Sequence, residues 1–525
     1  MENVFVKLPK TYRPSLAATL FFLIVAALLL TANAYFLWKP RADQVSGDTL
    51  IHLVYARNFL EGRAFEFNVG HSSRALTAPL WNWVLAAAGA FSGAAGDPEG
   101  FLLAFRGLAI GVMLGALFAA WRLSGRLGAG PLWSAAVVLV LATNPSVFYW
   151  TVSNPMETPG ACLAALLLIA WVLRASCSSS PLLWFAGGAL SAAGFLVRPE
   201  LVVFGVIAGL AAFVCSVPRS WKSAALFAVG LGAGLGLWIL CMVQSGLSVL
   251  PNAGSARRLM LLLDDASPLP VLGWPWSPDC LLFLGLFFPF VLGVASGVFS
   301  REREVRAVCL AVMAITCFSV AFFTFYFPTT WQGRYVLPVV FLLVPVGAAR
   351  FAAALPALTR SAVVATVSVY SAIIAFLILR PLAIYADGPH QRSLPRPEFV
   401  SVPPGANSIL CQEIQSAWFH PELFHVCTEG LIGLESLEAR KRGLSVIEFI
   451  HEQRPDLIGT GRYPLRDPEG VVGKIKQAAE NREDVVLPGV ELTYRGEMAG
   501  CGSVFTPRWT SSPNPTSPGA KPTGG

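Results

Sequence analysis

Eight polar residues between the hydrophobic stretches of this chain suit acid–base chemistry and the binding of an anion. A carboxylate acts as a general base when it reaches the proton that it removes. A guanidinium binds a phosphate through two parallel N–H donors. Together these residue types predict proton transfer beside a bound phosphate. The residues are Asp48, Glu157, Arg198, Glu200, Asn252, Arg257, Arg258 and Arg334.

Each of these residues also has a simpler, structural interpretation. Asp48 opens a run that fits a short helix, and Asp is a favoured N-cap residue. Glu157 lies in a proline-rich turn, and Arg198 and Glu200 can tie two helix ends together. An arginine at a membrane interface can extend to lipid phosphate. Residue type and spacing leave both interpretations open.

The overall composition indicates an integral membrane protein. The 525 residues are 55% hydrophobic and 13% charged, with a mean hydropathy of +0.60, whereas a soluble domain carries about 25% charged residues. The net charge of +7 fits membrane-topology signals and predicts no nucleic-acid partner. The ten cysteines form neither a CxxC pair nor a Cys/His ligand spacing, so zinc and redox chemistry are not indicated.

The hydrophobic runs predict eleven membrane-spanning helices. A span needs about 20 apolar residues. The first run follows three basic residues without a small-residue cleavage site, so we expect a retained anchor. The short stretch 79–95 is doubtful, and we expect it either to lie in the interface or to dip into the membrane and return. The predicted spans are 17–37, 101–121, 131–150, 159–173, 181–197, 201–217, 223–243, 280–299, 307–327, 336–349 and 361–379.

Basic residues set the predicted orientation. With these spans, the inner segments hold 13 Lys and Arg in 55 residues, against 9 in 118 residues of outer loop. The positive-inside rule therefore places the N-terminus in the cytoplasm and the C-terminus outside. In this topology all eight polar residues lie on the outer side. An outer active site, facing membrane lipids, is the simplest prediction.

The spans themselves carry little charge, which bears on the alternatives. Arg106 is the only charged residue within them, and it lies near an end. Transporters generally place ionisable groups at mid-depth. The sequence therefore counts against a lipid-linked glycan flippase or transporter. A non-catalytic envelope assembly protein, with an outer domain that binds a partner, stays open as a second alternative.

Two outer regions are expected to have structure of their own. In the first outer loop, 38–78, Leu50, Leu53 and Val54 predict a short amphipathic helix that lies on the bilayer with Asp48 at its start. Near the C-terminus, short apolar runs alternate with helix-like stretches and predict a small α/β domain. The predicted strands are Ile409–Cys411, Phe424–Cys427, Leu457–Ile458 and Val485–Leu487, and the predicted helices are Leu444–Gln453 and Val472–Ala479.

The sequence thus divides into three predicted parts. A transmembrane domain covers 1–380, an extracytoplasmic α/β domain covers 381–506, and a disordered tail rich in Pro, Ser and Thr covers 507–525. Cys411, Cys427 and Cys501 lie in the outer domain, so one disulfide can form there and one thiol must be left over.

Several motifs in this order resemble the GT-C class of polytopic glycosyltransferases, and most of all the bacterial family of the mycobacterial terminal arabinofuranosyltransferase. The resemblance covers about residues 15–380, and its first-loop block is the most specific part. Gly47, Val54 and Leu76 depart from the family pattern. The matching motifs are Asp48, Tyr55-Ala56-Arg57-Asn58, Leu60-Glu61-Gly62, Phe67-Asn68-Val69-Gly70, Thr77-Ala78-Pro79-Leu80-Trp81, Pro155-Met156-Glu157-Thr158, Arg198-Pro199-Glu200, Leu250-Pro251-Asn252 and Arg334-Tyr335-Val336-Leu337-Pro338.

The resemblance implies transfer of a sugar from a polyprenyl-phosphate donor to a glycan, lipid or protein acceptor at the outer face of a bacterial inner membrane. It implies that Asp48 is the general base and that arginines hold the departing lipid phosphate. A divalent cation is compatible with this class, although the sequence offers no ligand cluster. The substrate-binding residues that it implies are Tyr55, Arg57, Asn58, Glu157, Arg198, Glu200, Asn252, Arg257, Arg258, Arg334 and Tyr335.

Overall fold

In the computed structural model, the chain forms two compact units. The helical unit takes Met1–Val45, Thr77–Val249 and Ala266–Arg392, and the sheet unit takes Ser46–Leu76, Leu250–Asp265 and Ser393–Gly525. The structure describes residues 47–72, 77–93, 98–144, 147, 149–216, 220–245, 247, 278–322, 333–354, 401–411, 423–427, 438–439, 441–460, 465, 467–498 and 502–510.

Helices make up the described part of the helical unit. Several begin with proline in the first turn, where the missing N–H costs no hydrogen bond. A short π-helix, Tyr149–Ser153, precedes the helix that begins at Thr158. The helices are α2 (Pro79–Phe91), α3 (Pro98–Arg126), α4 (Pro131–Ala142), α5 (Thr158–Ala175), α6 (Pro181–Val197), α7 (Leu201–Cys215), α8 (Trp221–Gln244), α9 (Pro278–Val298), α10 (Arg303–Ala321) and α11 (Gly333–Ala354).

Five of the described helices are long and apolar enough to cross a membrane, namely those within α3, α5, α8, α10 and α11. Four shorter apolar helices accompany them: Pro131–Ala142, Pro181–Val197, Leu201–Cys215 and Phe287–Val298. Nine of the eleven predicted spans overlap these nine helices. The other two, 17–37 and 361–379, fall outside the described residues, so the count of eleven stays a prediction.

One predicted span is too long. The stretch 131–150 was expected to be a single helix, but α4 ends at Ala142 and the chain turns before the π-helix begins. Asn144 precedes a proline, and the proline ring disfavours helical backbone at the preceding residue. The doubtful stretch 79–95 forms a helix of 13 residues, α2, which is shorter than a span.

The helices α5 and α11 lie at the centre of the helical unit. In each, 72% of the most apolar window is buried, against 22% for α8. Their apolar side chains join one large core with those of α3, α4, α7 and α10. The residues at the first turns of α5 and α11 are therefore held by well-packed helices.

The C-terminal part of the sheet unit contains a six-stranded mixed sheet in the order β4-β3-β5-β8-β7-β6. The pairs β3–β4 and β3–β5 are parallel, and the remaining neighbours are antiparallel. Two helices, α12 (Val446–Gln453) and α13 (Val471–Asn481), contribute apolar side chains to the core of the sheet. The strands are β3 (Ser408–Cys411), β4 (Phe424–Cys427), β5 (Leu457–Gly459), β6 (Val485–Leu487), β7 (Val490–Met498) and β8 (Gly502–Trp509).

All four predicted strands and both predicted helices coincide with elements of this part of the chain, within two residues at each end. The strand β8 continues through Trp509, three residues beyond the predicted domain end at 506, because it pairs along its length with β7. The boundary at 380 and the tail after 510 lie outside the described residues. The same holds for the side chains of Cys411 and Cys427 and for Cys501, so the disulfide stays a prediction.

Most of the predicted first outer loop, Ser46–Leu76, also belongs to the sheet unit. It contains α1 (Gly47–Leu60) and a small hairpin of β1 (Glu66–Asn68) and β2 (His71–Ser72). The predicted amphipathic helix is wrong in one respect, because α1 is buried on most sides rather than along one stripe. The buried residues are Thr49, Leu50, His52, Leu53, Val54, Tyr55, Ala56 and Asn58.

Candidate active site

Three helices of the helical unit begin beside one another at a cluster of charged residues. Glu157 is the N-cap residue of α5, Glu200 is the N-cap residue of α7, and α11 begins at Gly333. Arg198 follows the last residue of α6. Helix N-termini carry partial positive charge, so this end of the unit favours anions. The two carboxylates and any negatively charged ligand are stabilised there.

Arg198 is held from four directions. Its Nη2 atom lies 2.5 Å from Oε1 of Glu200, and its Nε atom lies 3.7 Å from Oε1 of Glu157. Its Nη1 atom donates to the backbone carbonyl of Arg334 at 2.8 Å. Its guanidinium carbon lies 4.5 Å from the centre of the Tyr335 ring. The side chain is only 3% exposed, so these contacts replace water almost completely.

The charge of Arg198 does not titrate under physiological conditions. Burial by itself lowers the pKa of Arg198. The carboxylates of Glu200 and Glu157 raise it by more than burial lowers it, so the pKa lies above its ordinary value. A raised pKa on a base means that the stabilising charge is present at every pH below the ordinary value. Arg198 is therefore a permanent cation between two acids.

Arg334 has a different environment, although its side chain is equally buried at 4% exposure. Its Nη1 atom lies 3.1 Å from the sulfur of Met156, and its Nη2 atom donates to the hydroxyl of Tyr335 at 3.1 Å. The rings of Trp150 and Tyr335 lie 5.4 Å and 4.9 Å from its guanidinium carbon. Aromatic faces and a thioether are weaker ligands for a guanidinium than a phosphate oxygen.

Trp150 is not among the predicted site residues, and Met156 belongs only to a predicted motif. Trp150 lies in the π-helix, and Arg106 donates to the carbonyl of Val152 there at 3.0 Å. The π-helix therefore joins α3 to the turn before α5 and presents Trp150 to Arg334. Such π-turns are frequent at functional sites. The only signal in the sequence was an aromatic residue next to a proline-rich turn.

The structure brings together Glu157, Arg198, Glu200, Arg334 and Tyr335, which are five of the predicted site residues. Asn252, Arg257 and Arg258 lie outside the described residues. Within the described residues, no group of three His, Cys, Asp or Glu side chains could hold a metal ion.

The remaining predicted site residues lie on α1 of the sheet unit. Asp48 is the second residue of that helix, so its backbone lies in the first turn rather than at the N-cap. Tyr55 is buried, and its ring contacts that of Phe67 edge-on at 5.7 Å. Asn58 donates to the carbonyls of Glu66 and Phe67 at 3.1 Å each, which ties the hairpin to α1. Arg57 lies on the same helix and is half-buried.

Similarity to solved structures shows the fold. No protein-family model matches the chain, and no curated protein matches it significantly. ArnT from Cupriavidus metallidurans in the apo state has a TM-score of 0.54 at 12% identity, covering 93% of this chain and 97% of that one. The same protein bound to undecaprenyl phosphate has a TM-score of 0.52 at 12% identity, with 94% and 98% covered.

A second protein is similar over a smaller share of its length. The Archaeoglobus fulgidus oligosaccharyltransferase tethered with an acceptor peptide has a TM-score of 0.52 at 11% identity, covering 85% of this chain and 69% of that one. Both neighbours are GT-C glycosyltransferases. With its apolar helices and these neighbours, the chain is a multi-pass membrane protein with the GT-C fold.

Proposed function

We propose that this protein is a membrane glycosyltransferase of the inner membrane of a bacterium. It transfers a sugar, arabinofuranose or another pentose or hexose, from a polyprenyl-phosphate donor to a glycan, lipid or protein acceptor on the outer face. The GT-C fold supports this function, as does the solved neighbour bound to undecaprenyl phosphate. The motif resemblance to the arabinofuranosyltransferase family supports the choice of sugar.

The buried pair of arginines is the observation that carries the proposal. Arg334 lies in the first turn of α11, and Arg198 contacts the N-cap residues of α5 and α7, so both cations lie near helix N-termini whose dipoles add positive potential. Among the described residues, Arg198 is paired with two carboxylates, and Arg334 contacts a thioether, a hydroxyl and aromatic rings. We assign the donor phosphate to Arg334, because a phosphate oxygen is a stronger acceptor than the thioether, hydroxyl and aromatic faces that its guanidinium contacts there.

The proposed reaction is a displacement at the anomeric carbon of the donor. The carboxylate of Asp48 takes the proton of the acceptor hydroxyl while the hydroxyl oxygen forms the new glycosidic bond. The bond between the anomeric carbon and the phosphate oxygen breaks, and the lipid phosphate leaves with the electron pair. Arg334 stabilises the charge that grows on that phosphate. Arg198 and Glu157 hold the turns in which the site is built.

A direct test measures the release of lipid phosphate by the purified full-length protein. The protein is incubated with synthetic polyprenyl-phosphoryl sugars and candidate acceptors, with a divalent cation or with EDTA, and lipid products are detected by mass spectrometry. Asp48→Asn should reduce the rate by a factor of about 100 or more, as expected for loss of a general base. Glu61→Gln is the matched control, because Glu61 is an exposed acid of the same loop.

The phosphate assignment is tested in the same assay. Arg334→Gln should lower the rate by a factor of about 100, because an oxyanion loses its charged donor. Arg442→Gln should leave the rate unchanged, since Arg442 is exposed and pairs with Glu452. Full activity of Asp48→Asn would remove Asp48 from the mechanism. Absence of transfer from every donor would favour the non-catalytic alternative.

A further inference from the structure

Asn68, in the hairpin that follows α1, contacts the edge of β4, which is the outermost described strand of the six-stranded sheet. Asn68 Nδ2 donates to the backbone carbonyl of His425 at 3.0 Å, and the backbone N–H of His425 donates to Asn68 Oδ1 at 3.0 Å. The two residues are 357 positions apart in the chain. Both are buried, at 9% and 6% exposure. The bonds therefore join two distant segments of the sheet unit without competition from water.

The geometry of β4 explains why one amide can satisfy both groups. In a parallel pair, the N–H and C=O of one residue point to the same side, and those of the next residue point to the other side. Phe424 donates to the carbonyl of Asn407, towards β3. The backbone groups of His425 consequently point to the outer edge of β4. A side-chain amide carries one donor and one acceptor in a plane, so Asn68 replaces a residue of a neighbouring strand.

The contact continues from the hairpin into α1. Asn58, on the last turn of α1, donates to the carbonyls of Glu66 and Phe67, which directly precede Asn68. The rings of Tyr55 and Phe67 also touch. On the other side, the ring of His71 lies 4.8 Å from that of Phe424, edge-on. The hairpin is thus fixed to β4 and to α1 at the same time.

We infer that Asn68 is a positioning residue. Through its bonds to His425, it couples the position of α1, which carries the proposed base, to the C-terminal sheet. The helix α1 connects Asn58 rigidly to Asp48, about 15 Å away along its axis. The sheet, through His425 and Asn68, sets the position of α1 and hence of the proposed base. This inference rests on the proposed function for its catalytic consequence, but the mechanical coupling stands on the hydrogen bonds alone.

The coupling is measured by hydrogen–deuterium exchange of the full-length protein in nanodiscs. Asn68→Ala removes both bonds. Asn68→Asp keeps the shape, but it places a carboxylate oxygen against the His425 carbonyl and removes the donor. Both variants should increase exchange at least threefold in peptides that cover 47–60, 61–72 and 424–427. Asn407→Ala is the matched control, because the amide of Asn407 is exposed and bonds only locally to Gly405 among its described contacts.

The catalytic consequence is measured by transfer kinetics of the same preparations. Asn68→Asp should lower kcat about tenfold or more, because a small displacement of a catalytic group is costly. The KM for the donor should change less than twofold, since the phosphate is assigned to Arg334. A residue that matters only for folding would instead lower the fraction of active protein, which active-site titration reveals.

The outcomes separate the inference from the proposed function. If no donor is turned over by the parent protein, the proposed function fails, and increased exchange across 47–60 still supports the coupling. Unchanged exchange across 47–60 in both Asn68 variants overturns the inference, whatever the activity. Increased exchange with unchanged kcat overturns the positioning role.

Discussion

Arg198 and Arg334 are the same residue type with the same burial, yet their neighbours give them different roles. Arg198 lies between Glu157 and Glu200, and it also donates to the carbonyl of Arg334. It therefore fixes the first turn of α11, on which Arg334 lies. The guanidinium of Arg334 contacts Met156, Tyr335 and Trp150. We assign a structural cation to the first and a ligand-binding cation to the second.

The structural role of Arg198 predicts a large loss of stability on its removal. Arg198→Met leaves the buried carboxylate of Glu157 and the partly buried carboxylate of Glu200 without their cation, and breaking a buried pair costs about 3–5 kcal/mol. The double variant Arg198→Met/Glu200→Gln should recover part of this loss, because one of the uncompensated charges is gone. Thermal unfolding in detergent, completed as a double-mutant cycle with Glu200→Gln, gives the coupling. Additive effects of the two substitutions would contradict the ion pair.

At the scale of elements, the helices that carry the site are supported by close packing of small residues around them. A Cβ atom on Gly230 of α8 would lie 2.2 Å from the carbonyl oxygen of Phe185 in α6, and one on Gly188 would lie 2.0 Å from that of Phe227. The two backbones are in direct contact, as is common for helices in membranes. Since α6 ends at Val197, directly before Arg198, the packing of α6 against α8 supports the position of that arginine.

A pair of glycine substitutions on one helix tests this packing. Gly230→Val should destabilise the protein by about 1–3 kcal/mol, the usual cost of overpacking. Gly232→Val is the matched control, because a Cβ atom at Gly232 meets nothing within 4 Å. Both variants carry the same intrinsic loss or gain of helix propensity. Equal unfolding temperatures of the two variants would refute the close contact between α6 and α8.

At the scale of the whole molecule, α5 links the candidate site to the opposite end of the helical unit. Glu157 precedes α5 and Cys177 follows it, and a helix of this length extends about 27 Å. Cys177 is exposed and donates to Oε1 of Glu304 at 2.8 Å. Partial desolvation of the thiol, followed by its contact with this carboxylate, raises the pKa of Cys177 to about 11. If the charged cluster faces outwards, Cys177 faces the cytoplasm.

Thiol labelling of Cys177 tests both the orientation and the raised pKa. An impermeant maleimide should not modify Cys177 in sealed right-side-out vesicles, and it should label Asn407→Cys there. After permeabilisation, the rate at Cys177 should rise about tenfold per pH unit from 7 to 9, because only the thiolate reacts. Glu304→Gln should accelerate labelling. Modification of Cys177 in sealed vesicles would show that the predicted topology is inverted and that the cluster of Glu157, Arg198 and Arg334 faces the cytoplasm.

The sequence by itself determined the elements, because local hydrophobic runs and proline positions are properties of neighbouring residues. Nine predicted spans overlap described apolar helices, and the strands near Leu410, Val426 and Leu487 were predicted to within two residues. The motif order also indicated the GT-C fold. The proline that follows Asn144 disfavours helical backbone there, so the span predicted over 131–150 was too long.

Only the tertiary structure decided which polar residues act together. Arg198 and Arg334 are 136 positions apart, and Asn68 and His425 are 357 positions apart. Pairing at such distances depends on how helices and strands pack, and a single sequence does not encode it in any local pattern. For the same reason, the periodicity of α1 predicted a single apolar stripe, whereas the helix is buried on most sides. Burial of Asn58 and its hydrogen bonds to the hairpin depend on segments that the helix itself does not contain.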